Sequence, residues 1–238
     1  MKSDSRRDLA AGVLCLGGFV LWTLLIRTVD VQAVGVNGTS IGLATFNTWF
    51  HQVTGVHMWI YTVTDWLGLV PIAVCMCFGV LGLAQWIKRR LIWKVDGDIL
   101  LLGGYYILVI LGYLLFEMIP INYRPVLING VQEASYPSST TLLVLSVMPT
   151  LKFQIDRRTD NKRLRAVTTG FAVAFSAFMA IGRLVSGVHW ATDIIGAVLL
   201  SAGLFLPYRA AVRFMDDRKN QVVCHRPDAL CPFADAVA

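Results

Sequence analysis

The residues best suited to chemistry lie in the stretch Gly182 to Asp193, where Arg183, His189 and Asp193 fall between two long apolar runs. An unpaired charge facing lipid costs roughly several kcal/mol, so each of these side chains needs a partner or a task. A helix beginning near Val188 brings His189 and Asp193 onto one face, being four positions apart. The carboxylate then accepts one ring N–H and leaves the other nitrogen free as a nucleophile or base. Arg124, beside Pro125, is another cation among apolar segments, and Ser138 and Ser139 follow Pro137 directly before a further apolar run. Two guanidinium groups, hydroxyls and the free N–H groups of a helix N-terminus together suit a tetrahedral anion such as phosphate. Simple N-capping is an equal reading for the serines, and a lipid-headgroup anchor is the competing role for Arg124.

The surrounding elements are those of a membrane protein. Hydrophobic residues make up 56% of the 238 positions and charged ones 15%, against roughly 45–50% and 25% in soluble domains. Six uncharged or nearly uncharged runs stand out: Leu9 to Ile26, Trp66 to Ile87, Ile99 to Phe116, Thr140 to Ile155, Ala166 to Gly182 and Trp190 to Tyr208. At 1.5 Å per residue the longer ones cross a ~30 Å hydrocarbon core. Between the first two, Leu43, Phe46, Phe50 and Val53 recur at helical spacing, which predicts an interfacial helix. The nearby His51, His57, Trp49 and Trp59 read as an interface belt. The expectation is an all-α polytopic protein with six transmembrane helices and that interfacial helix. It forms one domain over residues 1–208 and is followed by a polar tail at 209–238.

The net charge of +6 raises nucleic acid as a partner, but the basic residues come in short clusters between apolar runs and not along one face, so none is expected. With the N-terminus in the cytoplasm, nearly every Lys and Arg falls on the inner side, the exceptions being Arg27, Arg124 and Arg183. Both termini are then cytoplasmic, and the segments carrying Arg124, Ser138 and His189 meet at the outer face. The five cysteines form no disulfide framework, and Cys224-His225 with Cys231 is a weak metal pattern. No metal or cofactor is expected.

Arg124-Pro125, then Pro137-Ser138-Ser139, then Arg183, five residues, His189, three residues and Asp193 resemble the three ordered signatures of the type 2 phosphatidic acid phosphatase (PAP2) superfamily. The resemblance implies a six-helix membrane enzyme that removes phosphate from a lipid phosphate or diphosphate without a metal. It makes His189 the nucleophile that becomes phosphohistidine, Asp193 the residue that orients it, and Arg124, Arg183, Ser138 and Ser139 the phosphate-binding set. This chain departs from the signatures at three positions. Glu117 stands where the family has lysine, Thr140 where it usually has the histidine that protonates the leaving group, and Gly182 where it usually has serine. Glu117 has three readings: an ion pair with Arg124, a buried neutral acid replacing the lost one, or a side chain turned away.

Loss of a general acid costs about 10²–10⁴ in rate, and a threonine hydroxyl does not titrate near neutrality. A leaving phosphate with a pKa near ~6 needs a proton far less than an alkoxide near ~16. A lipid diphosphate such as a polyprenyl diphosphate is therefore the expected substrate, ahead of a monophosphate such as phosphatidate. Two rival readings are a catalytically weakened lipid-phosphate-binding protein of the same fold and a small transporter. A transporter places its ionisable residues near the bilayer midplane, whereas these lie at the ends of their runs. The apolar runs argue against a soluble haloperoxidase with a similar constellation.

Overall fold

The computed structural model describes residues 3–224, and Cys231 and His225 of the metal pattern lie outside them. Eight α-helices account for most of the described residues, in the order α1 (Ser3–Thr28), α2 (Ala44–Thr54), α3 (Met58–Leu67), α4 (Leu69–Arg89), α5 (Gly97–Met118), α6 (Ser139–Arg158), α7 (Lys162–Val185) and α8 (Ala191–Cys224). Only isolated bridges represent β-structure among the described residues.

The helices form a bundle whose large apolar side chains point outward. Leu14, Trp66, Met76 and Val173 are each more than 60% exposed, the inverse of a water-soluble surface. Five stretches are long and apolar enough to cross a membrane: α1, α3 with α4 (Met58–Arg89), α5, α7 and Ala191–Lys219 of α8. The fourth predicted run, now α6, differs in kind. It packs against α4, α5, α7 and α8 and buries Thr141, Ser146, Thr150 and Gln154. Its polar positions face neighbours instead of lipid: the Tyr105 hydroxyl donates to the Ser146 carbonyl at 2.9 Å, and Gln154 Nε2 donates to the Tyr208 hydroxyl at 2.6 Å. A central helix needs less hydropathy than one that touches lipid on most of its surface.

Between α1 and α4 the chain forms two helices, broken at Gly55, whose φ of 69° lies in the left-handed region. The second of these, α3, runs on through Gly68 into α4, so the second long apolar stretch begins eight residues earlier than Trp66, at Met58. Pro71 lies in the first turn of α4, where its missing N–H leaves the Leu67 carbonyl without its usual donor four residues on.

At the end of the bundle away from the α7–α8 connection, carboxylates tie the helices together. Asp8 of α1 accepts from Arg209 and Arg213 of α8, each at 2.8 Å, and Asp98 of α5 accepts from Arg158 at 2.9 Å. Residues 209–224, read in the sequence as tail, are thus a helical continuation of α8.

Candidate active site

The connection between α7 and α8 is built to hold one loop conformation. Gly187 has φ 70°, and a Cβ there would stand 2.1 Å from the Gly55 carbonyl oxygen, so only glycine lets the two backbones meet. The loop is then pinned by the α2–α3 segment: His57 N donates to the Ser186 carbonyl at 2.9 Å, and His51 Nε2 to that of Gly187 at 3.1 Å. His51 is therefore a loop anchor, where the sequence suggested a solvated interface residue. Gly182, in the place of the family's serine, is where Thr64 of α3 fits, because a Cβ would meet Thr64 Cγ2 at 2.8 Å.

The helix start differs from expectation. α8 begins at Ala191 and not near Val188, so His189 lies in the loop and does not share a helical face with Asp193. Asp193 Oδ2 instead accepts from Trp190 N at 2.9 Å, capping the first turn of α8. The same oxygen lies 3.6 Å from His189 Nδ1, beyond hydrogen-bond range. The nearer acceptor is the Ser135 carbonyl oxygen, 3.1 Å from Nδ1. A carbonyl only accepts, so Nδ1 carries the proton and the Nε2 lone pair is free. Nε2 is buried and has no protein partner. Burial, reinforced by the positive charges of Arg124 and Arg183, holds the imidazole pKa well below its ordinary value, so the ring is neutral.

The two arginines converge on this histidine, Arg183 from the last turn of α7 and Arg124 from the α5–α6 loop. Arg183, 1% exposed, donates through Nη2 to Asp65 Oδ1 at 2.9 Å and also to the Thr140 hydroxyl. Arg124 pairs through Nη2 with Glu133 Oε2 at 3.1 Å. Both guanidinium groups stand over the Tyr61 ring, at 4.9 Å for Arg183 and 5.8 Å for Arg124. The Nε and Nη1 atoms of each arginine are buried and unpartnered, a set of charge-assisted donors that fits an anion.

The Glu117–Arg124 ion pair is not formed, and Glu133 takes its place. The α5–α6 loop folds back on itself through bridges between Tyr123 and Ala134 and between Ile128 and Val131. That hairpin sets Arg124 opposite Glu133, with Arg124 N donating to the Glu133 carbonyl at 3.1 Å. Glu117 is exposed and not buried, and it lines the same cavity as Arg124 and so does not turn away. Ser138 is fully buried, and its N–H donates to the Asp193 carbonyl at 3.3 Å. Its hydroxyl bonds that of Thr141 at 3.0 Å and makes no capping bond. Ser139 is the serine that reaches the cavity, at the N-terminus of α6 where helical N–H groups lack intrahelical acceptors. Sequence reasoning missed Tyr61, Asp65, Glu133 and Ser135. For the first two a signal existed, since Tyr61 and Asp65 are spaced to share a helix face.

A polar cavity of about 200 Å³ opens at this end of the bundle, lined by Glu117, Arg124, Glu133, Ser135 and Ser139 among others. His189 and Arg183 do not line it, though the Ser135 carbonyl that His189 Nδ1 contacts belongs to a lining residue. A second cavity of about 290 Å³, between α4, α5 and α6, is lined mainly by apolar residues including Leu69, Ile72, Ile110 and Leu143. Tyr113, Ser139 and Leu142 border both.

The sequence model of the PAP2 superfamily matches residues 75–217, more than half of the chain. The chain belongs to the PAP2 superfamily. No curated protein matches it. Among solved structures, a transmembrane PAP2-type phosphatidylglycerolphosphate phosphatase from Bacillus subtilis superposes with a TM-score of 0.56. The alignment has 17% identity and covers 87% of this chain and 96% of that one. At that identity the likeness is one of fold. The PAP2 assignment agrees with the apolar exterior in making this an integral membrane protein, and it supports phosphatase activity at the general level.

Proposed function

We propose that the protein is a membrane lipid phosphatase that acts at the outer membrane face through a phosphohistidine intermediate. The observation that carries this reading is the unpartnered His189 Nε2, buried beside two arginines that each keep free donors. In the proposed reaction Nε2 attacks phosphorus, the bond to the leaving oxygen breaks, and water then cleaves the phosphorus–nitrogen bond. Arg124, Arg183 and the N–H groups at Ser139 stabilise the equatorial oxygens as charge builds on them. The Ser135 carbonyl and Asp193 stabilise the imidazolium side of the ring. Ser138 acts through its place under the α6 N-terminus.

The substrate is a lipid because the polar cavity shares a wall with an apolar one between α4, α5 and α6. We favour a diphosphate. The Thr140 hydroxyl is engaged by Arg183 and does not titrate near neutrality, so a leaving group stable as an anion reacts best. In the bilayer α6 forms the sixth span and α2 lies along the outer surface, with the basic ends of α4, α6 and α7 on the cytoplasmic side.

The test is phosphate release by purified protein from a polyprenyl diphosphate and from phosphatidate in mixed micelles, against His189→Ala. Release from the diphosphate that depends on His189 is the expected result. A preference for phosphatidate rejects the diphosphate assignment, and no release from either leaves the lipid-phosphate-binding reading in its place.

A further inference from the structure

Arg183 is held by two groups that lie outside the PAP2 signatures or depart from them. Asp65 on α3 and Thr140 on α6 both bond its Nη2 atom. Asp65 comes from the same face of α3 as Tyr61, whose ring lies under both guanidinium groups. Two like charges over one ring repel each other, and a carboxylate on one of them offsets that repulsion. With Nη2 taken, Arg183 keeps Nε and Nη1 for an anion and has little freedom to turn. Asp65 itself is accessible, with 57% of its side chain exposed, on the wall of the apolar cavity that also reaches Thr140.

We propose that Asp65 and Thr140 are positioning residues that aim Arg183 at the reacting phosphoryl group. This inference rests on the phosphatase reading above. Thr140 is then an arginine ligand and not a weak substitute for an acid, and α3 is part of the site and not merely a surface element. Aim and charge have separable effects. A ground-state phosphate is drawn by the net positive charge at the site, which Asp65 reduces. A five-coordinate centre bonded to Nε2 of His189 places its equatorial oxygens at fixed positions and depends on where the guanidinium points.

Binding of orthovanadate, which adopts the five-coordinate geometry, and of inorganic phosphate to the detergent-solubilised full chain separates the two. Wild type is expected to prefer vanadate. Asp65→Ala and Thr140→Val each reduce that preference about tenfold, as befits one charge-assisted hydrogen bond. Phosphate affinity is unchanged in Thr140→Val and unchanged or raised in Asp65→Ala. Asp65→Glu and Thr140→Ser restore most of the preference. Loss of both anions in parallel, together with a lowered unfolding temperature, indicates a merely structural role and overturns the inference, as does an unchanged preference in both variants. His189→Ala binding phosphate but no longer preferring vanadate keeps the phosphatase reading whichever way the Asp65 result falls. A wild type that binds neither anion overturns both.

Discussion

His189 Nδ1 is 3.1 Å from the Ser135 carbonyl oxygen, and this contact, made across the α5–α6 loop, fixes which ring nitrogen is free. The family signature directs attention to Asp193, four residues on, but at 3.6 Å its carboxylate is the more distant of the two acceptors. Its bonded partner is Trp190 N.

Asp193 and His189 are therefore expected to separate in mutants. His189→Ala removes the proposed nucleophile and should abolish turnover. Asp193→Asn leaves the tautomer set by Ser135 and should lower kcat by about 10–10²-fold, less than the ~10⁴-fold seen where a carboxylate alone holds the tautomer. Asp193→Ala also removes the cap of α8 and should cost about 0.5–2 kcal/mol of stability. Steady-state kinetics and chemical unfolding of the three variants check this, and an Asp193→Asn loss as deep as that of His189→Ala rejects it.

The pH dependence follows from the neutral ring. The folded-state pKa of His189 is depressed below the ordinary 6.5, so the ring stays unprotonated as pH falls through that value, and the acid limb of kcat/KM should lie below it. Stability has the same sign. It is full above pH 6.5, where neither state binds the proton, and declines as pH falls below it because only the unfolded chain is protonated there. A rate profile and unfolding midpoints between about pH 5 and 8 test both, and an acid limb centred above 6.5 contradicts the burial argument.

Glu117 lines the cavity proposed to receive phosphate, without pairing to Arg124. Glu117→Gln should raise kcat/KM by up to about fivefold at low salt, in line with the ~0.2–1 kcal/mol of an exposed charge pair, and the gain should shrink at high ionic strength. Had Glu117 been the replacement acid, the same substitution would stop turnover while substrate still bound.

The loop glycine gives a structural test. Gly187→Ala should cost more than about 1–2 kcal/mol and most of the activity, because its φ of 70° disfavours a side chain and the Gly55 carbonyl occupies the space. Gly170→Ala in α7, with nothing within 4 Å of its added Cβ, should be neutral or stabilising by about 0.5–1 kcal/mol. Unfolding temperatures of the pair read the difference.

The charged core of the site was legible in the sequence because Arg183, His189 and Asp193 are costly in their apolar surroundings. Their geometry was less so. The spacing of His189 and Asp193 fits a helical turn, and nothing in it shows that a glycine-bound loop carries the histidine to Ala191. Arg124 had two nearby acids in the sequence, and the choice between Glu117 and Glu133 depends on a hairpin whose pairing is set by loop backbone and not by side-chain periodicity. α6 was found as a run but not as the buried axis, since hydropathy alone does not say which helix is surrounded. Tyr61 and Asp65 were spaced to act together, but the face they share becomes informative only when Arg183 is known to lie against it.

The pairing of Asp8 with Arg209 and Arg213 joins α1 to α8, the first and last of the described helices, and near the other end Trp22 Nε1 donates to the Thr192 carbonyl at 3.1 Å. α1 precedes α8 in the chain and packs mainly against it, so its main partner is made only after everything between them is translated. The same late helix brings Asp193 and closes the loop around His189. The proposed catalytic group is thus complete only once α8 is made, and a chain stalled before α8 is expected to be inert.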